Sequence, residues 1–154
     1  MKFSIIKDDL TGPEVALLLN DHLSNMADHS PEESRHALDL SGLQQQDVHF
    51  YSVWADTELA GCGAIQLLDA HHAEVKSMKT ASAFLRQGVA RLLLNHLIET
   101  AQRVGVKRLS LETGTIDYFK PAHVLYESAG FKPCPLFGRY REDPYRRYYS
   151  LELL

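Results

Sequence analysis

Apolar and polar positions along the chain change period several times, and each change marks an element. Alternation or a short β-branched and aromatic run predicts strands over residues 2–6, 49–55, 59–68, 73–80, 108–113 and 145–154. A further strand begins at Phe131-Lys132, where Pro133 and Pro135 confine it to an edge or cut it short. Gly61 and Gly63 interrupt the third strand and predict a bulge or a closely approaching neighbour. Residues 56–58 and 69–72 read as turns, and 139–144 as a loop. Helical spacing takes over where start signals stand. Thr11-Gly12-Pro13-Glu14 reads as a capping box opening a helix with Val15, Leu18, Leu19 and His22 on one face. Ser30-Pro31-Glu32-Glu33 repeats the signal for a short helix ending near Leu40, with Gly42 beyond. Val89, Leu92, Leu93, His96, Leu97, Ala101 and Val104 form the stripe of a central helix that Gly105 ends. A last helix covers 121–129, with Gly130 past its end. The order β-α-α-β-β-β-α-β-α-β-β predicts an α/β chain. Its middle strands form hairpins, the strands flanking the central helix run parallel, and helices cover both faces of a mixed sheet.

One junction carries a chemical signal. The strand ending near Thr80 is followed by a loop with the single glycine Gly88 and then by the central helix. The first N–H groups of a helix lack intrahelical partners and its dipole favours an anion, so a glycine at this point lets backbone approach a phosphate. A Walker loop would need Gly-Lys-Ser/Thr and a dinucleotide fingerprint three spaced glycines; neither is present. What remains is Gly88-Val89-Ala90 with Arg86, Gln87 and Arg91 around it. The bland alternative is an ordinary loop–helix junction.

The 154 residues suit one domain, 1–154, with a proper core. Hydrophobic residues make up 45% and charged ones 23%, as in soluble globular chains, and the net charge of −4 disfavours a nucleic-acid partner. Cys62 and Cys134 have no partner at metal-ligand spacing, which suits a reduced, cytoplasmic protein. No apolar run is long enough for a membrane span, and the N-terminus reaches Lys7-Asp8-Asp9 too soon for a signal sequence. Among the eight histidines, His22, His29 and His36 are broken apart by Pro31 and His71-His72 falls in a turn, so no metal site is expected.

Three segments resemble the GNAT superfamily of N-acetyltransferases. Gly88-Val89-Ala90 resembles the end of its motif A, usually Arg/Gln-x-x-Gly-x-Gly/Ala, although the first position falls on Leu85 and Arg86 comes one place late. Ala73 to Met78 looks like the family's fourth strand and Leu111-Glu112-Thr113-Gly114 like its fifth. Ala122-His123-Val124-Leu125-Tyr126, ending at Gly130-Phe131, matches its Ala-x-x-Leu-Tyr-x-x-x-Gly-Phe. Phe137-Gly138-x-Tyr140-x-x-Asp143-Pro144 is similar to one branch of small bacterial stand-alone members. The resemblance implies the GNAT fold: a mixed, mostly antiparallel six- to seven-stranded sheet with helices on both faces. It implies acetyl transfer from acetyl-coenzyme A to an amine by direct attack in a ternary complex. The favoured acceptor is a small molecule with a primary amine. Alternatives are a peptide or protein N-acetyltransferase and a non-catalytic acyl-coenzyme A sensor. A homodimer is compatible with the family.

The resemblance also implies site residues. An alkyl ammonium of pKa about 10.4 is seldom neutral at pH 7, so a base helps. Glu74 matches the base of some members; its alternative is a solvated strand residue. Tyr126 matches the acid that protonates the departing thiolate; its alternative is a core tyrosine. Backbone N–H groups near Met78 and Lys79 suit the oxyanion and, with Thr80, the pantetheine arm. Arg86, Gln87, Gly88, Val89, Ala90 and Arg91 would hold the pyrophosphate, with Lys120 a further candidate cation. Phe119 stands where the family often has a cofactor-contacting asparagine. The cluster from Tyr140 to Arg147 reads residue by residue as a polar, aromatic loop, and as a region is expected to wall the acceptor site.

Overall fold

The structure is a computed structural model that describes residues 2–29, 40–138 and 140–153. Its elements follow the predicted order. They are β1 (Ser4–Lys7), α1 (Pro13–His29), α2 (Leu40–Leu43), β2 (Val48–Ala55), β3 (Glu58–Leu67), β4 (His72–Thr80), α3 (Val89–Arg103), β5 (Arg108–Gly114), α4 (Lys120–Ser128), β6 (Lys132–Pro133) and β7 (Arg146–Glu152). Single 3-10 turns precede α3 and α4, at Ser82–Phe84 and Asp117–Phe119. The helix start expected at Ser30 lies outside the described residues, and its expected end near Leu40 is wrong: α2 runs to Leu43 with Gly42 inside it.

The strands form a seven-stranded sheet in the order β1-β2-β3-β4-β5-β7-β6. Among the described residues only β4 and β5 pair in parallel, as the crossover through α3 demands. Every other neighbour is antiparallel. Pro133 ends the outermost strand, where its missing N–H does no harm.

Two apolar layers fix the helices on opposite faces. α1 and α2 bury Val15, Leu18, Leu19 and Leu43 against Val48, Phe50, Cys62 and Ala64. α3 buries Val89, Leu93, Leu94 and Leu97 against Val53, Ile65, Val75, Leu109 and Tyr149, and α4 adds Leu125 and Tyr126 to the same layer. With both faces covered, β3 is buried from Ala60 through Ile65, so its sequence is nearly continuously apolar.

The glycines of β3 let α3 sit close. A Cβ at Gly61 would lie 2.9 Å from Val89 Cγ1, and one at Gly63 2.9 Å from both Leu93 Cδ2 and Met78 Cγ. Opposite Gly63 the register slips: Cys62 faces Lys79 and Ala64 faces Lys76, so Ser77 and Met78 bulge out of β4. Ser77 takes a left-handed φ of 55° in this bulge.

Two local expectations need correcting. The capping box at Thr11 is not formed, because the Thr11 hydroxyl turns back to donate to Asp9 Oδ1 at 2.7 Å. The stripe of α3 is rotated: Leu92 and Val104 are exposed and Leu94 is fully buried in their place. At 3.6 residues per turn, positions 89, 93, 97 and 101 already define the inner line and 94 flanks it. The C-terminus of α3 closes as predicted, with Gly105 at φ 88° and Val106 N–H donating to Ala101 O at 2.9 Å.

Candidate active site

β4 and β5 pair only at His72–Arg108, Ala73–Leu109 and Glu74–Ser110. Beyond Glu74 they diverge. The β4–β5 ladder therefore stops at Glu74, while the other edge of β4 stays bonded to β3 as far as Thr80. The bulge at Ser77 adds to the splay.

A cavity of about 280 Å³ fills the opening. Glu74, Met78, Lys79, Phe119 and Tyr126, five of the residues singled out from the sequence, line it together. Tyr126 is half-buried, and its hydroxyl makes no hydrogen bond with a described residue. Burial pushes its pKa up to about 12, so it stays protonated at neutral pH. Phe119 folds back onto the glycine that ends β5: a Cβ at Gly114 would come 2.2 Å from Phe119 Cε2. Arg146 also sits over the ring, 5.9 Å from its centre.

Glu74 is only 3% exposed, so it is not the solvated strand residue of the alternative reading. Burial raises its pKa, and the nearby Lys76 charge and a hydrogen bond from Tyr140 oppose that rise. The Tyr140 hydroxyl donates to Glu74 Oε2 at 2.5 Å, and Lys76 Nζ lies 3.5 Å from the same oxygen. Next to them Arg146 donates to Glu112 Oε1 at 2.8 Å, with both side chains almost wholly buried. A second, larger cavity of about 1040 Å³ adjoins this cluster and is lined by Asp47, Gln66, Leu68, Arg141 and Asp143 among others. Glu74, Lys76 and Tyr140 line both cavities.

The phosphate-loop candidates lie outside the smaller cavity, past the end of β4. Gly88 is the N-cap of α3 at φ 85°, the helix start carries no side-chain cap, and a Cβ at Gly88 would meet nothing within 4 Å. The backbone amides of Val89, Ala90 and Arg91 thus open onto an uncapped, exposed helix N-terminus. Arg86 and Arg91 are exposed beside it. The Gln87 side chain turns back to donate to Ala83 O at 3.3 Å. Lys79 forms an ion pair with Asp21 of α1 at 3.6 Å, so its side chain ties helix to strand.

Sequence reasoning missed several of these neighbours. His22 lines the smaller cavity instead of the core, and burial lowers its pKa to about 4. Lys76 could have been found, since period-2 alternation puts it on the face of Glu74. Tyr140 could not, because only the tertiary fold brings its loop over β4. Among the described residues no three histidine, cysteine or acidic side chains gather as a metal site.

Comparison with known proteins bears on this arrangement. The model of the acetyltransferase (GNAT) family matches residues 16–131. The chain belongs to that family. It is 52% identical over 137 residues to the N-acetyltransferase YsnE of Bacillus subtilis, covering 89% of this chain and 91% of that one. It is 50% identical over 151 residues to YedL of Escherichia coli, also named an N-acetyltransferase, covering 98% and 95%. A structure from Klebsiella pneumoniae described as an acyl-CoA N-acyltransferase superposes with a TM-score of 0.80 at 23% identity, covering 99% of this chain and 98% of the other. A GNAT acetyltransferase from Elizabethkingia anophelis, solved with acetyl-CoA bound, gives 0.71 at 19% identity, with 98% of each covered. The protein is therefore an acyltransferase of the acetyltransferase (GNAT) family. The sensing alternative loses its footing. No helix among the described residues is long and apolar enough to cross a membrane.

Proposed function

We propose that residues 1–154 form one acetyltransferase domain that moves an acetyl group from acetyl-CoA to the primary amine of a small molecule, by direct attack in a ternary complex. The observation that carries this reading is the splay between β4 and β5, where a buried carboxylate and a free phenol line one cavity. The edge of β4 beyond its last pair with β5 suits the extended pantetheine arm, and the uncapped start of α3 at Gly88, with Arg86 and Arg91 beside it, suits the pyrophosphate. Glu74 takes the proton that the attacking amine must lose. The backbone N–H groups near Met78 and Lys79 stabilise negative charge growing on the carbonyl oxygen. Tyr126 donates its phenolic proton to the departing thiolate sulfur. Phe119 walls the thioester end in place of a polar contact.

The larger cavity receives the acceptor. Its volume of about 1040 Å³ falls near the upper end of the range for small-molecule sites, and it meets the reaction centre at Glu74. The reading places the protein in the cytoplasm, where both cysteines stay reduced.

The test is thiol release from acetyl-CoA with putrescine, tyramine, phenylalanine and an alanyl-headed pentapeptide as acceptors. The reading expects kcat/KM at least tenfold higher for one of the small amines than for the peptide. The reverse order would assign a peptide or protein acceptor, and release with none of them would remove the amine class tested here.

A further inference from the structure

The reaction needs one oxygen of Glu74, and the two oxygens have different surroundings. Oε2 accepts the Tyr140 hydroxyl at 2.5 Å and lies 3.5 Å from Lys76 Nζ, which itself donates to the Tyr140 oxygen at 2.9 Å. Oε1 accepts no hydrogen bond from any described residue. A carboxylate turns freely about its last bond unless something holds one oxygen. Here the holder is itself held: the Tyr140 ring meets Phe137 and Tyr148 edge-on or tilted, at 5.3 and 5.6 Å between centres. Lys76 Nζ lies 5.5 Å from the centre of the same ring. Tyr140 also lies in the wall that the two cavities share.

We propose that Tyr140 is the positioning residue of the catalytic base: its phenol fixes Glu74 Oε2 in the wall between the cavities and leaves Oε1 as the oxygen that takes the amine proton. The inference rests on Glu74 being that base. It gives the loop before β7 a defined part in the chemistry. The amine proton leaves nitrogen for Oε1, and the Tyr140 proton stays on its own oxygen, which holds it tightly because burial and the charges of Glu74 and Glu112 raise that phenol's pKa.

The charges facing Glu74 set the sign of the test. Lys76 stands beside it on β4. Glu112 of β5 and Arg146 of β7 bond to each other next to it. His22 of α1 and Lys79 line the smaller cavity with it. Asp47, Arg141, Glu142 and Asp143 line the larger one. Tyr140→Phe changes none of these charges and keeps the ring, so burial is preserved. It deletes one hydrogen bond to the ionised carboxylate, and the pKa of Glu74 must rise. Hydrogen bonds to charged groups are strong enough to move it by about one unit or more.

The experiment reads that pKa directly. Protein labelled with carboxyl-¹³C glutamate is titrated by NMR as wild type and as Tyr140→Phe, with Glu74→Gln assigning the resonance and thermal melts confirming the fold. In parallel, kcat/KM against pH is recorded by thiol release with whichever of putrescine, tyramine or phenylalanine turns over fastest. The proposal expects the Glu74 pKa and the acidic limb of the profile to rise together by about one unit. An unchanged Glu74 pKa in the folded variant overturns the pairing. A raised pKa with an unmoved limb shows that Glu74 is not the base, and the positioning role falls with it.

Discussion

A methyl group at position 114 tests how the wall of the smaller cavity is built. Gly114 ends β5, and an added Cβ would stand 2.2, 2.3 and 2.9 Å from Cε2, Cδ2 and Cζ of Phe119. Carbon atoms need about 3.5 Å or more, so the ring must move by more than 1 Å. Arg146 lies over it at 5.9 Å and Tyr118 meets it edge-on at 5.1 Å, which leaves the cavity as its way out. Overpacking of this kind costs about 1–3 kcal/mol. Taking about 2 kcal/mol, Gly114→Ala should lower Tm by roughly 4–8 °C in a chain of this size. It should also weaken acetyl-CoA, because the displaced ring enters the space beside Tyr126. Phe119→Ala removes the obstacle. The double variant should then be less destabilised than the sum of the singles by at least about 1 kcal/mol, a coupling expected only for residues in contact. Differential scanning calorimetry of the four proteins measures it. A Gly114→Ala protein that melts like wild type, or singles that simply add, would refute the placement of Phe119 on this glycine.

Three more predictions are quicker to check. Arg146→Ala removes a buried ion-pair partner of Glu112, in a pair that is 3% and 5% exposed, so urea unfolding should show a loss of up to about 3–5 kcal/mol. His22 is neutral when folded, with a pKa of about 4 against 6.5 for the free side chain. The unfolded chain binds its proton first, so the stability it contributes is complete above pH 6.5 and lost as pH falls toward 4; His22→Asn should flatten the melting temperature across that window. Burial leaves Cys62 0% exposed with its pKa raised to about 12, whereas Cys134 is half-buried, so a thiol reagent should label one cysteine in the native protein and two in denaturant.

The elements were legible because their signals are local. Alternation, the glycines after α3 and α4 and prolines at an edge placed all seven strands and the crossover, with ends shifted by one or two residues. Thr11 misled because its hydroxyl had a nearer acceptor in Asp9, and competition among short polar side chains leaves no trace in spacing. Leu94 was passed over because a stripe counted from the wrong edge looks equally periodic. Motif positions singled out Glu74 and Tyr126, and both line one cavity. What surrounds Glu74 was not legible. Tyr140 is 66 positions away, and Arg146 meets Glu112 across 34. Pairings at such separations depend on how β7 docks beside β5, which no window of sequence contains. Phe119 was noticed as a departure, but its seat on Gly114 needed coordinates.

On the proposed mechanism, acetyl transfer happens in the splay of β4 and β5, with the Tyr126 hydroxyl as its acid. The most direct measurement is a paired one on Tyr126→Phe: acetyl-CoA affinity by calorimetry and kcat by thiol release with the fastest of the small amines. Affinity should stay within about twofold of wild type and kcat should fall by roughly 10²-fold or more, the scale of a lost general acid. A variant that keeps wild-type kcat would contradict that mechanism, and so would one whose turnover falls only as far as its affinity for acetyl-CoA does.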